Sequence, residues 1–159
     1  MSDNNNNIIE SLKNKYKGKR IGFTCSCFDL LHTGHLLMLK DAKTKCDVLI
    51  VGLQTDPTID RPEKNKPVQS FFERELMIKS LIYIDEVIVY STENELYQLL
   101  LQLRPDVRII GSDWKGKEYT GHNIEDIEIY WHQRKHNYST TNLRKRIWKA
   151  ELEKGSSNS

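Results

Sequence analysis

The apolar positions of this chain change period repeatedly, and each change marks an element. Ile8, Ile9, Leu12 and Tyr16 fall at helical spacing, which predicts a short leading helix behind a polar, Asn-rich start. Residues 19–25 form a short apolar segment, the first predicted strand. Across 34–45, Leu36, Leu37, Leu39 and Ala42 make a helical stripe. Residues 47–53 are almost continuously apolar, the pattern of a strand covered on both faces. The pattern then breaks over 56–69, where Pro57, Pro62 and Pro67 argue against helix or central strand. Ser70, with Glu73 three residues on, has the form of a capping box and opens a predicted helix through residue 81. A strand over 86–90, a helix over 93–103 and a strand over 107–111 follow, with Pro105 at the break between the last two. A loop over 112–122, a strand over 127–131 and a helix capped by Ser139 and running to about residue 152 complete the pattern.

Strands therefore alternate with helices throughout. That order predicts an α/β fold: a Rossmann-like, open, parallel five-stranded sheet with helices on both faces. Residues 1–18 read as a leading polar segment and short helix, 19–153 as the folded domain and 154–159 as a disordered tail. In open parallel sheets ligands bind beyond the carboxyl ends of the strands. The loops after the first, second, fourth and fifth strands can thus meet at one edge.

Composition narrows the function. Lys and Arg number 24 against 22 Asp and Glu, a net charge of +2, so nothing global points to nucleic acid or membrane as a partner. Cys25, Cys27 and Cys46 are too few and too irregular for a disulfide framework or a zinc site, and read as reduced thiols. The start lacks a signal-peptide pattern, and no apolar run approaches the roughly 20 residues that span a bilayer; the expected location is cytoplasmic. The basic last helix, with Arg144, Lys145, Arg146 and Lys149, reads as packed on one face and solvated on the other.

The chemistry concentrates between the first strand and the next helix, in Ser26-Cys27-Phe28-Asp29-Leu30-Leu31-His32-Thr33-Gly34-His35. A helix N-terminus offers unpaired N–H groups and the positive end of its dipole, which suits a phosphate. Gly34 has no Cβ to keep that phosphate away. His32 and His35, on either side of it, can act as donors to charge that grows on phosphorus during displacement. Ser139 and Thr140 open the last helix and offer hydroxyls and free N–H groups of the same kind.

The segment resembles the His-x-Gly-His signature of the cytidylyltransferase family within the nucleotidyltransferase superfamily, and the likeness covers residues 21–148. Phe28-Asp29-Leu30-Leu31-His32 fits that family's aromatic-Asp-x-x-His opening. Phe72-Glu73-Arg74 and Tyr83-Ile84-Asp85-Glu86-Val87 fit two further segments. Gly111-Ser112-Asp113-Trp114 is similar to a loop of the glycerol-3-phosphate cytidylyltransferases, and Arg134 followed by Ser139-Thr140-Thr141 to their Ser-Thr-Thr signature. The chain departs from that pattern at Ser26-Cys27, Ile82 and Lys135-His136-Asn137. Cys27 also occurs in the similar adenylyltransferase domains of heptose-phosphate enzymes.

The resemblance implies a direct displacement in which an acceptor phosphate attacks the α-phosphorus of a nucleoside triphosphate. It implies CMP transfer from CTP to glycerol 3-phosphate or a similar phosphorylated alcohol. The alternatives are adenylyl transfer from ATP to a sugar phosphate, or a nucleotide-binding module without turnover. His32, His35, Lys64 and Arg134 are the expected catalytic residues. Cys27, Phe28, Gly34, Asp113, Ser139, Thr140 and Thr141 are expected to hold the nucleotide. Asp29, Lys66, Arg74 and Trp114 are expected to hold the acceptor or frame the base. Mg²⁺ is expected with the triphosphate, and a homodimer is carried over from relatives of this size.

Overall fold

The structure, a computed structural model, describes residues 3–156. Its elements are α1 (Asp3–Lys15), β1 (Ile21–Ser26), α2 (Thr33–Lys43), β2 (Val48–Gln54), α3 (Phe71–Lys79), β3 (Glu86–Tyr90), α4 (Glu93–Leu103), β4 (Val107–Gly111), β5 (Glu128–His132) and α5 (Thr140–Ser156). Short 3₁₀ turns follow β2 at Pro57–Ile59 and β4 at Ser112–Trp114. All five strands are parallel, in the order β3-β2-β1-β4-β5. The chain winds outward from β1 in both directions, so the order reverses between β1 and β4.

Side-chain alternation splits the core into two layers. Ile21, Phe23, Val48 and Ile50 face α1 and α4, where they meet Ile9, Leu12, Leu96, Leu99 and Leu103. Leu49, Val51, Leu53 and Ile109 face α2 and α3, where they meet Leu39, Ala42 and Ile78. Every residue of β2 is buried, as the unbroken apolar run requires. At Gly22 a Cβ would lie 2.5 Å from Cys46 Sγ, so glycine lets the segment after α2 press against β1.

Most boundaries fall within about two residues of expectation, and three of the differences matter for the ends and the last strand. Residues 3–7 continue α1 rather than leading into it, because propagation from a packed turn costs little once Ile9 and Leu12 are anchored. α5 runs through Lys154 to Ser156, past the predicted end; the rest of the predicted tail, 157–159, lies outside the described residues. β5 starts and ends one residue later than predicted, so it includes His132. Among the described residues no helix is long and apolar enough to cross a membrane.

Candidate active site

β1 and β2 pair along six positions, but β1 and β4 pair only at Gly22–Val107 and Phe23–Arg108. Beyond that point the two strands splay. Thr24, Cys25 and Ser26 on one side and Ile109, Ile110 and Gly111 on the other become walls of a cavity of 860 Å³. The cavity therefore opens where the strand order reverses, the place at which such sheets bind ligands.

α2 begins under this cavity. His32 is its N-cap: the Nδ1 atom accepts from Gly34 N at 3.0 Å, while His35 Nδ1 accepts from His32 N at 3.4 Å. A backbone N–H can only donate, so each Nδ1 is unprotonated and each neutral ring carries its proton on Nε2. The two rings stack with centroids 3.9 Å apart. Burial, the His32 ring and Arg134 push the His35 ring down to about 3. Burial, then Arg134 and His136, also lower His32. Both rings are neutral N–H donors near neutrality.

The start of α5 meets the start of α2. Ser139 caps α5 by accepting from Asn142 N at 3.1 Å. Thr140 Oγ1 lies 3.3 Å from His32 Nε2 and donates to the Asp29 carbonyl at 3.4 Å. A Cβ on Gly34 would come within 2.9 Å of the Tyr138 carbonyl, so the close approach of the two helix starts depends on that glycine. Arg134 donates to the same Tyr138 carbonyl at 2.6 Å and lines the cavity. Two helix N-termini, two imidazole donors and a guanidinium thus converge, as a multiply charged phosphate chain requires.

His32, His35, Gly34, Arg134, Ser139, Thr140, Asp113 and Trp114 all line the cavity. Other predicted site residues do not. Arg74 is 1% exposed and donates to the carbonyls of Cys27, Gln54, Thr55 and Gln69. Asp29 accepts from Val68 N and Gln69 N at 3.0 Å and faces Arg144 at 3.5 Å. These two residues clamp the loop after β1 to the loop after β2 instead of facing a ligand. The clamp holds a distorted backbone: Phe28 and Leu30 sit at φ 50° and 49°, the left-handed region that side chains disfavour. Cys27 and Phe28 belong to this clamped turn, and burial pushes the Cys27 thiol up. Thr141 is exposed on α5 outside the cavity lining.

Lys64 and Lys66 are exposed and also outside the lining, whereas Arg61 of the same loop lies within it. Arg61 pairs with Glu93 at 2.8 Å and donates to Gln54 Oε1 at 2.8 Å. Glu93 also accepts from Thr120 Oγ1, and Arg108 donates to the Thr120 carbonyl and lies over the Tyr119 ring. This network joins the loops after β2 and β4 across the cleft. Motif reading missed Arg108 and His132, which also line the cavity; a charged residue inside the otherwise apolar 107–111 strand was the available signal for the first. No group of three or more His, Cys, Asp or Glu among the described residues could hold a metal. A metal here would therefore be held mainly by a ligand's own phosphates, which the donor-rich lining fits.

The chain has relatives among known proteins. The chain is 40% identical over 109 residues to the bifunctional protein HldE of Nitratiruptor sp., covering 68% of this chain and 23% of that protein. It is 36% identical over 135 residues to the bifunctional protein HldE of Aliarcobacter butzleri, covering 84% and 28%. The chain thus spans about a quarter of the length of these relatives. In fold it is similar to a lipopolysaccharide core biosynthesis protein from Thermoplasma volcanium, with a TM-score of 0.60 at 22% identity over 77% of this chain and 100% of the other. A pantoate-beta-alanine ligase from Francisella tularensis gives a TM-score of 0.62 at 18% identity over 87% and 70%. Residues 23–146, which hold the whole cavity lining, match the cytidylyltransferase-like family, and the chain belongs to that family.

Proposed function

We propose that the chain is a nucleotidyltransferase that moves AMP from ATP to a sugar phosphate, releasing pyrophosphate. The observation that carries nucleotidyl transfer is the convergence of the α2 and α5 N-termini, joined through His32 and Thr140, on one cavity. A triphosphate laid across it has its β- and γ-phosphates at Ser139, Thr140 and Arg134, and its α-phosphorus against the Nε2–H groups of His32 and His35. An oxygen of the acceptor phosphate forms the new bond to the α-phosphorus, and the bond to the departing pyrophosphate breaks. The acceptor phosphate is already ionised, so no general base is required, and catalysis is positioning plus charge stabilisation. Mg²⁺ would be held mainly by the triphosphate itself and would supply further charge neutralisation.

The adenylyl reading is supported by the HldE relatives and by Cys27, which resembles the heptose-phosphate branch. CMP transfer to glycerol 3-phosphate is the second reading, supported by Asp113 and Trp114, which match the glycerol-phosphate loop and line the cavity. A panel of ATP, CTP, GTP and UTP against sugar 1-phosphates and glycerol 3-phosphate, with Mg²⁺ and products identified by mass spectrometry, decides between them. Product from ATP and a sugar phosphate is the expected result. Product only from CTP and glycerol 3-phosphate reverses the assignment, and tight nucleotide binding with no product from any pair favours a binding module.

A further inference from the structure

Four of the chain's five histidines line the cavity beside a backbone partner, and the fifth differs in kind. His32, His35 and His136 each accept a backbone N–H at Nδ1, from Gly34, His32 and Tyr138. Their neutral rings must therefore carry the proton on Nε2, and they present donors. His122 contacts the Tyr119 carbonyl through Nδ1 but sits exposed at the rim. His132 is 8% exposed, and its Nδ1 lies 2.6 Å from a carboxylate oxygen of Asp41. A carboxylate can only accept, so this Nδ1 carries the proton, and the Nε2 of the neutral ring is a lone pair. That atom is buried and has no hydrogen-bond partner among the described residues, and His132 is one of the residues that line the cavity.

The arrangement is built from the register. Tyr130 and His132 are alternate residues of β5 and share the sheet face that looks at α2. Asp41 of α2 receives both, the Tyr130 hydroxyl at 3.1 Å and the His132 ring at 2.6 Å. β5 pairs with β4 up to Gly111–His132, so the ring sits beside the start of the Ser112–Trp114 turn. This is the side of the cleft that also carries Arg134, Ser139 and Thr140. On the nucleotide reading above, the phosphates rest among those donors, and the unpartnered acceptor of His132 is left for another part of the same molecule.

We propose that His132 Nε2, held as an acceptor by Asp41, takes a hydrogen bond from the exocyclic amino group of the nucleotide's base and so selects amino bases over keto bases. Asp41 is a positioning residue that fixes the ring's tautomer. The inference rests on the nucleotide reading above but not on the choice between adenine and cytosine, since both carry that amine. A keto oxygen in its place would leave two buried acceptors facing each other, a loss worth about tenfold to a hundredfold in affinity.

The test is titration calorimetry on the full chain with Mg²⁺, comparing ATP with ITP, CTP with UTP, and ATP with 2′-deoxy-ATP. Wild-type protein is expected to bind the better amino triphosphate about tenfold to a hundredfold more tightly than its keto partner. His132→Phe and Asp41→Ala are expected to bring that ratio to within about threefold of one, with the 2′-deoxy ratio unmoved. Asp41 lies outside the cavity lining, so its variant carries the test if His132→Phe does not fold. An amino-to-keto ratio that both variants leave intact, a wild-type preference for keto bases, or an effect confined to the 2′-deoxy ratio overturns the proposal. Wild-type binding with an unmoved ratio sinks this inference alone; no binding of any triphosphate sinks it together with the nucleotide reading.

Discussion

The two imidazoles of the candidate site, His32 and His35, are kept neutral by their surroundings, and that has a measurable cost at acid pH. An unfolded histidine takes up a proton near 6.5, whereas folded His35 does so only near 3. Unfolding therefore absorbs a proton throughout that interval, so His35 contributes its full stability above 6.5 and loses it progressively as the pH falls toward 3. Melting temperatures measured from pH 7 to pH 4 should fall less for His35→Asn, whose side chain can still accept from His32 N, than for wild type. Parallel curves would contradict the assignment of a depressed, neutral ring. The histidine pair was legible in the sequence because a glycine sits between two rings directly after a strand. His132 was not, because the predicted strand stopped at residue 131, and one residue of register decides whether a side chain joins a sheet face. Arg74 and Asp29 occupy motif positions, yet motifs record only that a residue is required, and burial shows what for.

At the scale of elements, the loop after β1 is a scaffolded turn rather than a free one. Arg74 of α3 reaches under it to four carbonyls, and Gln69 accepts from Leu30 N at 2.8 Å. Arg74→Ala orphans several buried acceptors at about 1–3 kcal/mol each, so urea unfolding should show a loss of at least about 3 kcal/mol. A loss below about 1 kcal/mol would mean that the arginine is not the clamp. Gly34→Ala tests the junction of α2 with α5. The new methyl meets the Tyr138 carbonyl at 2.9 Å, so the helix starts must part. Triphosphate affinity measured by calorimetry should drop about tenfold or more, with α2 itself retained by circular dichroism, because Ala is the better helix former. Unchanged affinity would show that the two helix starts do not act together. The capping box of Ser70 with Glu73 could be read directly from spacing, and it forms, with Ser70 N donating to Glu73 at 2.7 Å. The clamp could not be, because its partners lie up to 47 residues apart.

Across the whole molecule, strand–helix alternation and one fully apolar strand were enough to read an open parallel sheet with helices on both faces, and the observed order completes it. The position of the cavity needed coordinates. It follows from β1 and β4 ceasing to pair after two positions, which no local pattern records. The same splay lets residues far apart in sequence, from Thr24 to Thr140, share one cavity, whereas Lys64, only three residues from the lining Arg61, lies outside it. The central claim is that this cavity transfers a nucleotidyl group past the His32 and His35 donors. The most direct measurement is pyrophosphate release by wild type and His35→Ala under the best pair from the substrate panel, with triphosphate affinity measured in parallel. Wild type should turn over, and His35→Ala should lose about a hundredfold or more in kcat while binding the triphosphate within about tenfold, because the ring acts mainly on charge that develops in the transition state. Turnover by His35→Ala at the wild-type rate would contradict the account.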